Sequence, residues 1–164
     1  GGIITLATLL GFGASALLLY LQDSDFAIIA TFGYFILSAT LLGLSFTAIA
    51  YMISLVASEK SKAAGAALIT WFFFALVFDL ALLALLVGAD AGLSQSALTQ
   101  LMMLNPADIF RLVNLAGLDS TDVNGALAIA IKANLSQGQL LLLLLAWVFA
   151  PLALASLIFK NKKL

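Results

Sequence analysis

Four unbroken apolar runs decide what this chain can fold into. Residues 1–21, 26–57, 63–87 and 139–159 carry a single Asp, Glu, Lys or Arg between them, Asp79. A rise of about 1.5 Å per residue lets about 20 apolar residues cross the roughly 30 Å of hydrocarbon in a bilayer. Within that layer no water meets backbone N–H and C=O groups, so each run must close its own hydrogen-bond ladder as a helix. The chain therefore reads as all-α: a polytopic membrane protein with four transmembrane helices plus short external amphipathic helices, in one transmembrane domain over residues 1–164. Composition excludes the soluble alternative, since 9% of residues are charged against about 25% in soluble globular domains.

The second run holds 32 residues, about 48 Å of helix, which overshoots the hydrocarbon by several turns. Its span is placed at 31–56, with 26–30 as an interfacial approach beside Asp23 and Asp25. The other spans are set at 1–21, 63–87 and 139–159, which leaves 88–138 as the external segment. The chain opens on Gly1-Gly2 and enters the first run with no charged leader; it reads as the later part of a longer protein.

Orientation follows the basic residues, because short loops rich in Lys and Arg stay in the cytoplasm. The loop at 58–62 and the tail at 160–163 carry five of the seven. They are separated by two spans and so fall on one side, which places both ends of the chain in the cytoplasm. Asp23, Asp25, Asp90, Asp108, Asp119 and Asp122 fall on the other side, with Arg111 and Lys132.

The external segment has helix punctuation. Asn105 is an N-cap, Pro106 suits the first helical position, Asp108 places an acid in the first turn and Gly117 is a stop. Ile109, Leu112, Val113 and Ala116 recur at helical spacing, with Asp108, Arg111 and Asn114 on the other side. The pattern predicts a short amphipathic helix that rests on the membrane surface or covers the mouth of the bundle. A second short helix is expected over 94–104. Within the spans, Ala7, Gly11 and Ser15, then Ala39, Gly43 and Thr47, then Ala146 and Ala150, form small-residue faces suited to close helix packing in lipid. Pro151 removes one backbone donor from the last span and is expected to bend it.

The chain has no Cys and no His. Without these side chains most transition-metal sites and acid–base constellations cannot be built, and no metal or cofactor is expected in this chain. Asp79 is the one carboxylate deep in a span. At mid-bilayer it would cost on the order of 2.5–3.5 kcal/mol, so it must find water, a partner or a proton. It reads as a pathway or gate residue, as a structural hydrogen-bond partner of a neighbouring Ser, Thr, Tyr or Trp, or as a snorkelling carboxylate. Glu59, Lys60 and Lys62 form either a coupling loop for a cytoplasmic partner or a turn that only fixes orientation. Met102-Met103 could touch a soft cation, but adjacent helical residues point apart, which favours packing. Asn134-Leu135-Ser136 fits a three-residue glycosylation pattern, and no phosphate-binding loop is present.

The string KSKAAGAAL at 60–68, with WF at 71–72, LVFDL at 76–80 and LLALLV at 82–87, resembles the fifth span of NosY-type permeases of the ABC-2 class. LNPADIFRLVNLAG at 104–117 is similar to the external segment that follows it, and LGFG at 10–13 and SATLLG at 38–43 also fit. The resemblance covers nearly the whole chain and corresponds to the last four of six spans, so the first two are expected upstream. It implies a permease in the bacterial inner membrane with a cytoplasmic C-terminus. It further implies a homodimer, a NosF-like cytoplasmic ATPase subunit that holds ATP and Mg²⁺, and a NosD-like periplasmic protein, serving copper-site maturation of nitrous oxide reductase. Asn105, Asp108 and Arg111 would then be candidates for external partner contact. The competing readings are an ion- or proton-coupled secondary carrier using Asp79 and, less well supported, an intramembrane enzyme.

Overall fold

The computed structural model describes residues 2–23, 26–88, 94–115 and 135–161. Among them the chain forms α1 (Gly2–Asp23), α2 (Phe26–Val56), α3 (Lys60–Phe72), a π-helical turn (Phe73–Val77), α4 (Phe78–Gly88), α5 (Gln95–Met102), α6 (Pro106–Leu115) and α7 (Gln137–Asn161). α3, the π turn and α4 continue one another, giving four helices long and apolar enough to cross a membrane: Gly2–Gln22, Ile28–Val56, Lys60–Gly88 and Gln137–Lys160. There is no strand among the described residues. α2 runs on from Phe26, so residues 26–30 prolong the helix rather than depart from it.

α1 and α2 pair antiparallel. The Thr8 and Thr40 hydroxyls meet at 3.1 Å, and the rings of Phe12 and Phe35 meet edge-on at 4.6 Å. Gly43 takes the side chain of Ile4, whose Cγ2 lies 2.8 Å from where a Cβ on residue 43 would stand. The small-residue stripe expected on α1 does not make this contact: Ala7, Gly11 and Ser15 are exposed, and the face toward α2 carries Ile4, Thr8 and buried Ala16. Close approach is made by one glycine receiving a branched side chain, not by two small faces meeting.

The core sits where α5 and α6 wedge among α2, α4 and α7. Leu98, Met102, Ile109, Leu112, Val113, Leu140 and Leu144 are buried there together with Leu41 and Leu82. The arrangement inverts that of a soluble protein. The two helices too short to cross a membrane are the most buried, while along Lys60–Gly88 only Leu82 is buried. The outward apolar surface of the long helices suits a lipid solvent.

Local chemistry fixes the ends of the inner helices. Ser94 caps α5 by accepting from the Ala97 N–H at 3.3 Å. Ser136 and Gln139 form a reciprocal capping box on α7: the Ser136 Oγ accepts from the Gln139 N–H at 3.3 Å, and the Gln139 Oε1 accepts from the Ser136 N–H at 3.0 Å. Buried Pro151 lies inside α7, which continues to Asn161. A cavity bounded by Val56, Ala57, Lys62 and Ile158 brings the last turns of α7 beside the 57–62 loop, so Lys62 and Lys160 share one end of the bundle. The side chain of Asn161, the stop at Gly117 and the asparagine of the 134–136 motif lie outside the described residues.

The Gly43 contact generates a test. A Gly43→Val variant should lose about 1–3 kcal/mol by overpacking against Ile4, seen as a lower unfolding temperature of the purified protein. Adding Ile4→Ala should restore most of the loss.

Candidate functional site

Span three breaks its ladder at one place. In an α-helix the Phe78 N–H would bond the carbonyl of Phe74; at the π turn it reaches Phe73 instead. The Phe74 carbonyl, deprived of its usual donor at membrane depth, must be satisfied by another group. Asn105 supplies it, donating from Nδ2 at 2.8 Å. Phe74 also packs edge-on against Trp147 of α7, with ring centroids 5.6 Å apart, and the Trp147 Nε1–H donates to the Met103 carbonyl at 3.2 Å.

Asn105 does two jobs with one side chain. Its Oδ1 accepts from the Ala107 N–H at 3.0 Å and so caps α6, while its Nδ2 binds span three and also donates to Asp108 Oδ2 at 3.0 Å. Asn105 and Asp108 are fully buried.

Arg111 completes the site. Its Nη1 donates to Asp79 Oδ2 across the helix boundary and to Asp108 Oδ1 at 3.0 Å one turn back, and its Nη2 reaches the Ala75 carbonyl at 3.4 Å. The Arg111 and Asp79 side chains are half-buried, while the Asp108 side chain is 1% exposed. Burial, followed by the hydrogen bond and charge of Asp79, pushes the Asp108 carboxyl from its usual 3.8 up to about 7, against the pull of Arg111 and Asn105.

The remaining polar contacts of α6 go to the other two walls. Asn114 Nδ2 donates to Ser38 Oγ of α2 at 3.2 Å, and Gln137 Nε2 of α7 donates to the Val113 carbonyl at 3.1 Å. The side of α6 that carries Asp108, Arg111 and Asn114 is thus not a water-facing one. Arg111 and Asn114 brace the helix to its neighbours while Asp108 holds Asn105 and Arg111, and α6 is buried between walls instead of resting on a surface. In lipid such interhelical bonds contribute about 0.6 kcal/mol on average and up to about 1.7, so the dock rests on their number.

Of the residues singled out from sequence, Asp79, Asn105, Asp108 and Arg111 meet in this one cluster. Asn105 and Asp108 turn inward, and the partner of Asp79 is a guanidinium, not one of the Ser, Thr, Tyr or Trp side chains that the hydrogen-bond alternative for this residue names. Glu59, Lys60 and Lys62 lie at the opposite end, exposed, with Glu59 and Lys62 paired at 2.8 Å. Met102 is buried in the core, consistent with packing.

The sequence profile described as "ABC-2 family transporter protein" matches residues 1–164. The chain belongs to the ABC-2 transporter family. This ABC-2 chain is 47% identical over 165 aligned residues, 99% of its length, to the probable ABC transporter permease protein NosY of Pseudomonas aeruginosa. It is 43% identical over 166, again 99% of its length, to the protein of the same name from Stutzerimonas stutzeri. The chain spans 60% of the length of each of these relatives. The ABC-2 membership and the four long apolar helices together make it a multi-pass membrane protein.

Besides the π turn, two features of this ABC-2 chain are absent from the sequence expectations. The Ser136-x-x-Gln139 box is visible as a pattern, and it starts α7 at Gln137, two residues before the span expected from hydropathy. The Asp79–Arg111 pair could have been found from charge alone, since an acid in a span needs a cation and the far side offers only Arg111 and Lys132.

Removing the cation should cost more than removing either acid. Arg111→Gln leaves Asp79 and Asp108 without their cation and should destabilise by about 2–3 kcal/mol, below the 3–5 of a fully buried pair. Asp79→Asn still leaves an Arg111–Asp108 pair and should cost less than about 1 kcal/mol, with Asp79→Leu in between. Unfolding in mixed micelles reads the order.

Proposed function

We propose that this chain is the membrane permease subunit of an ABC transporter in the bacterial inner membrane, supporting copper-site assembly of nitrous oxide reductase. In this reading a NosF-like ATPase binds at the cytoplasmic end, a NosD-like protein meets the periplasmic end, and the permease works as a homodimer. ATP and Mg²⁺ belong to the ATPase, whose hydrolysis drives work by the periplasmic partner or export of a small species. The observation that carries this reading is the match to two proteins named NosY along nearly the whole chain.

The geometry supports a transmitting role. Span three begins in the 57–62 loop and, past its π turn, carries α6 on the Asp79–Arg111 contact. A push on Glu59, Lys60 and Lys62 reaches α6 along one rod. The carrier alternative loses support, because Asp79 is already bound to a guanidinium and does not stand as a lone carboxylate in a pathway.

Two experiments test the reading. In the full-length permease, Glu59→Lys with Lys60→Glu should weaken co-purification of the ATPase or uncouple its hydrolysis and lower the copper content of nitrous oxide reductase. Stability should change little, since an exposed pair such as Glu59–Lys62 contributes about 0–1 kcal/mol. Wild-type complex, ATPase rate and copper content would reduce the loop to a turn. Cys at Ser61 should be labelled from the cytoplasm and Cys at exposed Ser94 from the periplasm; labelling of both from one side would overturn the orientation.

A further inference from the structure

The cluster on span three holds two acids and one base. Asp79 and Asp108 both accept from the same nitrogen of Arg111. With both carboxyls ionised the cluster carries one uncompensated negative charge around a side chain that is almost wholly buried. Its surroundings make that charge costlier. α6 is packed against α2, the π turn and α7. The π turn presents the carbonyl oxygens of Phe74 and Ala75, which point partial negative charge at the cluster. On α2 the polar group that meets α6 is the Ser38 hydroxyl, and on α7 it is the Gln137 amide, neither of which titrates. Lys62 lies at the opposite end of the bundle beside the last turns of α7, which carry Lys160. Among the described residues no second cation reaches the cluster.

Unbalanced buried charge is relieved most cheaply by taking up a proton. Asp108 is the acid placed to take it, being the more buried of the two and sharing the Arg111 Nη1 donor with Asp79. We propose that Asp108 is a proton-binding site: as a neutral acid it leaves Arg111 to pair with Asp79, and α6 docks on span three as an electroneutral unit that loosens when the proton leaves. The chain then carries a proton-sensitive joint between span three and the inner helix, whichever cargo or partner the assembly serves.

The sign of the pH dependence follows. An acid whose proton is held more tightly in the folded protein contributes stability that is complete below its unfolded value and is lost as pH rises through the folded one. For Asp108 that window runs from 3.8 to about 7.

The full-length permease in lipid nanodiscs provides the test, read by infrared spectroscopy of the protonated-carboxyl C=O stretch and by thermal unfolding between about pH 5 and about pH 9. The wild type should show one buried-acid band that disappears near neutral pH, with an unfolding temperature that falls by a few degrees over the same interval. Asp108→Asn should lack the band and flatten the profile. Asp79→Asn keeps Asp108 but removes the second carboxylate, so Arg111 becomes the partner of Asp108 alone and the band should titrate at lower pH. A wild type without the band, a band that survives Asp108→Asn, or a band unmoved by Asp79→Asn would each overturn the proposal; the wild-type and Asp79→Asn arms decide it even if Asp108→Asn fails to fold.

Discussion

A backbone carbonyl without a donor cannot be left in hydrocarbon, and the architecture of this bundle depends on how that constraint is met at Phe74. The π turn diverts the Phe78 N–H to Phe73, and Asn105 fills the gap from a different part of the chain. Because the same Asn caps α6, the cost of the irregular turn and the placement of the inner helix are settled by one side chain. Arg111 then matches the charge of Asp79 from the next turn of α6. A defect in one helix thereby becomes the socket for another.

That socket explains the inverted burial. In water, short amphipathic helices show their polar side outward, and the hydrophobic effect drives the opposite side in. Within a bilayer, apolar surface gains little from leaving lipid, so what draws α6 inside is its polar side. Arg111 and Asn114 find partners on other helices of the bundle, Asp108 is held by Asn105 and Arg111, and Ile109, Leu112 and Val113 complete the packing. The long helices keep their apolar surfaces for lipid and for neighbours.

What the sequence made legible follows from the same physics. Long apolar runs leave no alternative to spanning helices, and the Asn-Pro-x-Asp start of α6 was readable because capping is local. The destination of α6 was not, because amphipathicity says which residues differ from lipid but not whether water or another helix receives them. Pairing of Asp79 with Arg111, 32 positions apart, is a tertiary fact that periodicity does not carry, although charge balance within a membrane pointed to it. The π turn leaves no mark in the run of Phe72, Phe73 and Phe74; the contacts that hold it, Trp147 on the Phe74 ring and Asn105 on the Phe74 carbonyl, come from distant parts of the chain. The small stripe of α1 stays outside the α1–α2 contact, which runs through Ile4, Thr8 and Ala16, because composition alone does not name the face that meets a given neighbour.

The central claim is that Asp79 and Arg111 hold the inner helix on span three, and a double-mutant cycle measures it most directly. Asp79→Asn, Arg111→Gln and their combination, each unfolded reversibly in mixed micelles, yield the coupling energy between the two side chains. Direct contact predicts a favourable coupling of at least about 1 kcal/mol. Additive effects within about 0.3–0.5 kcal/mol, the behaviour of independent sites, would mean that the two charges do not hold α6 in place.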